Sequence, residues 1–217
     1  TYGVMKGDNR RNLGLNFSIN YHLRNKLTLS YKNSFSLNRS LDSPYGSYSQ
    51  YSRMNPYNPM TDEDGNYIKS YYFNPLSTSS YKTANPLYDA TLSSFGKSQN
   101  QSWTNSLSGR WNITKELYVT GQANLNLTWN RSDNYDSTDR AKYQNNALND
   151  KGQYSLSTGN GLTTDGKIVV NYGKSLDSKG SMVRVSAGSN IQYSRKQSAS
   201  FLAKGFIKDE LSDLSFA

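Results

Sequence analysis

The sequence predicts an all-β protein, a segment of an antiparallel transmembrane β-barrel with long extracellular loops. Three observations predict it. Apolar and polar residues alternate over stretches longer than the 5–6 residues usual for a soluble strand. The connections between these stretches alternate between short and long, an asymmetry of outer-membrane barrels. Only 34% of the 217 residues are hydrophobic and mean hydropathy is −0.83, yet 13% are aromatic. Strands with one wet face need no more than that, whereas a disordered chain lacks the aromatics.

The clearest stretch is 117–130. Leu117, Val119, Ala123, Leu125, Leu127 and Trp129 share one parity, and Tyr118, Thr120, Gln122, Asn124, Asn126 and Thr128 the other. The preceding strand, 101–112, sets Trp103, Leu107 and Trp111 against Thr104, Ser106, Ser108 and Arg110, with a polar turn at 114–116 between the two. At the start of the chain, 10–22 carries Leu13, Leu15, Phe17, Ile19 and Tyr21 on one face, and 26–38 carries Leu27, Leu29, Tyr31, Phe35 and Leu37. Asn33 and Asn105 interrupt otherwise oily faces. They are expected near a membrane interface or paired with a neighbouring strand. The strand at 163–176 is blurred by Ile168, Val169 and Val170, and 181–197 alternates again from Val183 to Tyr193. Asp177, Ser178, Lys179 and Gly180 supply hairpin-turn chemistry between them.

Two connections are long, 39–100 and 131–162. The first holds all five prolines and many tyrosines. A loop of that length is functional or disordered as a rule, and its aromatic content favours a folded cover. Flat aromatics and hydrogen-bonding side chains suit sugars, so Tyr48, Tyr51, Tyr71, Tyr72 and Tyr81 are the candidate substrate-binding residues. Arg53, Asn55, Pro56 and Tyr57 are expected to hold the loop's own shape, because Asn-Pro fixes a turn. Tyr21, Tyr31, Trp103, Trp111 and Trp129 are the candidate membrane-interface aromatics. The tail 208–216 reads as the opening of a further loop.

Charge and cysteine count exclude several chemistries. The formal net charge is +9, but the basic residues are dispersed and form no run or helix face, so nucleic acid is not an expected partner. Surface lipid or an anionic solute suits them better. Without cysteine, and with His22 the only histidine, no thiolate site, metal site or catalytic triad can be assembled. Asp62, Glu63 and Asp64 lack calcium-loop spacing and cannot flank a glycosidic bond from two sides. An exposed Asp-Gly turn fits them better. Gly159, Asn160 and Gly161 form no phosphate motif. No catalytic residue, metal or cofactor is expected. Six strands cannot close a barrel, so the chain is expected to be part of a larger one.

Several pieces, in order, resemble the SusC/RagA-like branch of TonB-dependent outer-membrane transporters. They are Arg11-Asn12-Leu13-Gly14-Leu15-Asn16-Phe17, then Ser52-Arg53-Met54-Asn55-Pro56-Tyr57-Asn58-Pro59 followed by Asp62-Glu63-Asp64-Gly65-Asn66-Tyr67, then Asn85-Pro86-Leu87, and the stretch from Leu107 to Val119. The resemblance implies residues 1–217 as a middle section of a barrel of about 22 strands, with the family's plug domain not present. It also implies an outer-membrane location, energy from the TonB complex, a SusD-like surface lipoprotein as lid, and import of oligosaccharides or peptides. The alternative is a surface glycan-binding or adhesin β protein without transport.

Overall fold

The computed structural model describes residues 3–24, 26–72, 82–176 and 181–207, with backbone only at 72 and 82. The turn at 177–180, Tyr81 and the tail 208–216 lie outside the described residues, as does the side chain of Tyr72.

Alternation becomes strand wherever it is sustained. The strands are β1 (Asn9–Leu23), β2 (Leu27–Leu41), β3 (Ser70–Tyr72), β4 (Lys82–Ala84), β5 (Phe95–Asn112), β6 (Leu117–Asp136), β7 (Gln153–Ser175) and β8 (Met182–Lys204). Short helices α1 (Tyr48–Ser52) and α2 (Pro86–Asp89) lie in the first long connection. Two 3-10 turns, Ala141–Tyr143 and Leu148–Asp150, lie in the second. One sheet has the order β1-β2-β5-β6-β7-β8, every neighbour antiparallel, and β3 and β4 form a separate pair.

The structure corrects the expected fold class. The described strands form two sheets, and the six-stranded one is open. Among the described residues β1 pairs only with β2 and β8 only with β7, so each outer edge presents unpaired backbone groups. In hydrocarbon each such group costs several kcal/mol. The expected transmembrane β-barrel segment, with its membrane-spanning strands, is replaced in the described residues by an open six-stranded antiparallel sheet beside a two-stranded pair. Alternation reports that a sheet has one apolar and one polar face. It carries no information about closure, and that is why the pattern misleads.

The strands run past the expected ends towards the long connections. β5 begins at Phe95, β6 continues to Asp136 and β7 begins at Gln153. The extra residues include Lys97, Gln99, Arg131 and Ser155, where both faces are polar and period 2 disappears from the sequence although the ladder continues.

The register lays the faces out in rows. One face carries Ile19, Tyr31, Leu107, Ala123, Gly166 and Ile191 across the six strands; two residues along lies the row of Phe17, Asn33 and Asn105, and two residues beyond that the row of Leu15, Phe35, Trp103, Leu127, Leu162 and Arg195. Much of this apolar face is exposed, including Leu15, Phe17, Ile19 and Ile191. The buried core sits elsewhere, at the long-connection end. There Tyr135, Tyr154 and Phe206 pack with Phe95, Leu156 and Ala203, and the Tyr135 and Phe206 rings meet edge to face at 5.6 Å.

Candidate functional site

The second face is polar from edge to edge. One row reads Asn16, Ser34, Thr104, Asn126, Thr163 and Ser194, and the next reads Ser18, Lys32, Ser106, Asn124, Asp165 and Gln192. Cross-strand pairs of hydroxyl and amide groups stabilise such rows. Ser106 Oγ donates to Asn124 Oδ1 at 2.5 Å, and Asn124 Nδ2 donates to Asp165 Oδ2 at 2.8 Å, so one relay crosses three strands. Thr104 Oγ1 donates to Asn126 Oδ1 at 3.1 Å. Ser36 and Ser102 hydroxyls meet at 3.0 Å and those of Ser40 and Ser98 at 2.7 Å.

Towards the short turns this face opens into a cavity of about 520 Å³ lined by Thr28, Ser30, Arg110, Tyr118, Gln122 and Lys167, among others. The Arg110 guanidinium lies 3.9 Å from the Tyr118 ring centre, a cation–π contact that fixes both. Val169 alone among its neighbours breaks the polarity. It stands opposite Thr120, and its carbonyl accepts from Thr120 Oγ1 at 3.5 Å.

The long connections form a cap tied together by polar contacts. Asn85, fully buried, is the hub of the first. Its Nδ2 donates to the Met60 carbonyl at 3.1 Å and to the Ile68 carbonyl at 2.7 Å, while its Oδ1 accepts from Leu87 N at 3.0 Å. The last bond caps α2, whose first residue is Pro86, a position where the missing N–H costs nothing. From the end of α2, Asp89 reaches the second connection. Its Oδ1 accepts from Ala141 N at 3.1 Å and its Oδ2 pairs with Arg140 Nε at 3.3 Å. Ser70 Oγ donates to Gln144 Oε1 at 2.8 Å, and Ser137 N donates to Ser94 Oγ at 3.0 Å.

Asp136 ends β6 and pairs with both Arg140 and Lys142. Burial pushes its carboxyl up, but the Lys142 hydrogen bond and the two positive charges outweigh that and hold it below the usual value. Burial likewise opposes the Arg140 charge, and Asp136 with Asp89 outweighs it, holding the guanidinium pKa above its ordinary value.

Of the expected binding tyrosines, the three with described side chains, Tyr48, Tyr51 and Tyr71, differ in exposure. Tyr48 is exposed on α1, whereas Tyr71 is buried with its hydroxyl 3.6 Å from Met60 Sδ. Tyr51 is half-buried; burial, then Tyr45 and Tyr67, raises its pKa, as burial alone raises that of Tyr71. In the loop motif, Asn55 Oδ1 accepts from Tyr57 N at 3.0 Å and the Asn55 carbonyl accepts from Asn58 N at 3.1 Å, which closes the turn around Pro56. Arg53 and Tyr57 are exposed beside it. The acidic triplet forms a turn: Asp62 Oδ1 accepts from Asp64 N at 3.1 Å and Asn66 N at 2.7 Å, and Gly65 takes φ +84°, a left-handed conformation that suits glycine.

Of the apolar-face aromatics, Trp103 and Trp129 fall on adjacent rows towards the long connections, and Trp111 and Tyr21 on adjacent rows at the short-turn end. Tyr31 lies between the two groups, and its hydroxyl donates to Asn105 Oδ1 at 2.7 Å. Asp89 and Arg140 are not singled out by the sequence, and Asn85 and Arg110 enter it only within a family motif and a polar strand face, not as site residues. Parity alone places Arg110, Asp165 and Lys167 on the wet face, and Asn-Pro marks the α2 cap. Nothing local marks the Asp89–Arg140 contact.

This arrangement offers many hydrogen-bond donors and acceptors and no nucleophile–base pair. His22 is exposed, with Nδ1 3.3 Å from Thr28 Oγ1. Among the described residues no group of three or more His, Asp or Glu is placed to hold a metal ion.

An open antiparallel sheet with one greasy face, one polar face and a folded cap is the class the geometry defines. Solved structures share this fold over part of their length. The chain resembles a structure of the RagAB peptide transporter with TM-score 0.70 and 16% identity over 96% of this chain and 23% of that one. It resembles the RagAB peptide importer in its 'open-open' state at 0.66 and 17% identity, and in its 'closed-closed' state at 0.64 and 16%. At such identities the likeness is one of fold, and the chain spans less than a quarter of each of those chains. No family model matches the chain, and no curated protein matches it.

Proposed function

We propose that this chain is one section of an outer-membrane importer, associated with the membrane through its apolar face and offering its polar face to the solute. The observation that carries the reading is the pair of polar rows that cross all six strands, backed by a fold shared with part of a peptide importer. A solute of many hydroxyl or amide groups, an oligosaccharide or a peptide, exchanges its water for such a face with little net cost, because each lost hydrogen bond is replaced. No bond is made or broken, so the function is transport and not catalysis. In the same reading a SusD-like surface lipoprotein covers the loop cap, and the TonB complex supplies energy through parts of the larger protein.

The test uses the full-length protein in its native membrane. Uptake of labelled peptide and oligosaccharide pools is compared between the intact strain and one whose polar face carries Asn124→Leu with Asp165→Leu. The expected result is loss of uptake with normal protein levels in the membrane fraction. Unchanged uptake, or recovery of the native protein as a water-soluble monomer, overturns the proposal.

A further inference from the structure

Above the greasy rows, towards the long connections, the same face turns basic. Arg11, Arg39, Gln99 and Arg131 stand opposite one another across β1, β2, β5 and β6. They share the parity of Leu13, Leu37 and Trp129, which lie two residues nearer the sheet centre, roughly 7 Å away. One row beyond the arginines come Leu41, Lys97 and Asp133. These side chains line a groove of about 650 Å³.

We propose that this groove binds the phosphate headgroup of an anionic lipid whose acyl chains lie along the apolar rows beside it. Arg11, Arg39 and Lys97 make no ion pair among the described residues; Arg131 pairs with Asp133 at 3.3 Å. Four cations against one carboxylate leave the groove positive. Arg39 Nε donates to Gln99 Oε1 at 3.0 Å, which holds the guanidinium on this row. The Lys97 ammonium is steadied 4.5 Å from the Phe95 ring centre. Guanidinium forks match phosphate oxygens two at a time.

The occupant is argued from the juxtaposition. A free anion gains nothing from the greasy rows, and a purely apolar partner leaves three cations desolvated without compensation. A molecule with a negative head and greasy tails satisfies both halves. The four strands from Arg11 to Arg131 span roughly 14 Å, wide enough for a two-chain headgroup. Trp103 and Trp129 sit at the boundary between the halves, where indole rings are favoured.

The experiment titrates the full-length, detergent-purified protein with phosphatidylglycerol or phosphatidylcholine of identical chains and counts retained lipid by native mass spectrometry. Phosphatidylglycerol is expected to be retained about tenfold more tightly, since each basic residue near a lipid surface adds to the attraction. Raising salt should erase the preference. Arg11→Gln/Arg39→Gln/Arg131→Gln should erase it too, while Lys32→Gln/Lys167→Gln/Lys196→Gln, which removes equal charge from the polar face, should keep it. Equal retention of both lipids, a preference indifferent to salt, loss in the polar-face variant, or displacement by millimolar inorganic phosphate overturns the proposal. If the arginine variant does not fold, the salt titration of the unaltered protein decides. Lipid retention is read without import, so either proposal can fail while the other stands.

Discussion

Asn33 and Asn105 stand opposite each other on β2 and β5, in the middle of the greasy face, and Asn33 Nδ2 donates to Asn105 Oδ1 at 2.7 Å. The same oxygen accepts from the Tyr31 hydroxyl at 2.7 Å. Two amides that look like errors in the apolar pattern are therefore paired through Asn105 Oδ1, while Asn105 Nδ2 is buried without a partner among the described residues. Removing one partner leaves a polar group unpaired, while removing both can be nearly neutral. Asn105→Leu is expected to destabilise the protein by about 1–3 kcal/mol, because Asn33 Nδ2 and the Tyr31 hydroxyl both lose their 2.7 Å acceptor and keep only the 3.5 Å contact with each other. Asn33→Leu should cost less, since Tyr31 still serves Asn105. The double variant should recover the part of the loss due to Asn33 and not the part due to Tyr31, whose hydroxyl still lacks its acceptor. Denaturant unfolding of the four proteins measures the cycle, and additive losses contradict the pairing.

Much of this was legible in the sequence, and the reason is specific. Between Leu117 and Trp129 each residue's parity states its face, so the two faces and the hairpin pairing follow from spacing alone. The pattern fades at Lys97, Gln99 and Arg131 because the face itself changes chemistry there, and the strands outrun the prediction at those points. Whether the sheet closes depends on what lies beside β1 and β8, which no periodicity within a strand encodes. The cap was harder still. Asp89 and Arg140 are 51 residues apart and meet only once both connections have folded. The tyrosines gave composition without position, and Tyr71 turned inward while Tyr48 did not.

Among the described residues, Asn85 ties together the Met60, Ile68 and Leu87 backbone of the first connection. Asn85→Ala abandons the Met60 and Ile68 carbonyls and uncaps α2. A buried group left unpaired costs about 1–3 kcal/mol, and here more than one is left. The expected outcome is faster proteolysis within residues 53–72 and unchanged hydrogen-exchange protection in β5 and β6. Asn85→Asp should rescue the cap to Leu87 N and not the two donated bonds, so partial protection distinguishes the cap from the clamp. Protection equal to the parent in both variants removes Asn85 from this role.

The Asp136 carboxylate couples the end of β6 to Arg140 and Lys142, and its pKa is held below the ordinary 3.8 in the folded state. A lowered folded pKa stabilises the folded cap fully above 3.8, and the contribution fades as pH falls from there through the lower folded value. Proteolytic resistance of residues 137–152 should therefore decline over that acid window. Asp136→Asn should be weaker at neutral pH and show less of the decline. Arg140→Gln should loosen both connections together, because it also releases Asp89. Identical acid profiles for Asp136→Asn and the parent contradict the assignment.

Trp129 and Asn126 sit three residues apart on β6 and face opposite ways, Trp129 on the row of Leu13 and Leu37, Asn126 on the row of Asn16 and Ser34. Introducing the same charge at each tests the facing directly. At Trp129 a carboxylate enters the apolar face beside Leu127's neighbours and removes a large ring, two losses that burial in any greasy surroundings makes worse. At Asn126 the new carboxylate still accepts from Thr104 Oγ1 and meets only polar neighbours, Thr163 among them. Trp129→Asp should sharply lower the amount of folded full-length protein recovered in the membrane fraction, and Asn126→Asp should leave it near the parent level. Quantitative immunoblotting of membrane fractions, with heat-resistant mobility on a gel as the folding check, reads both. Equal loss from the two substitutions means that the faces have been assigned wrongly.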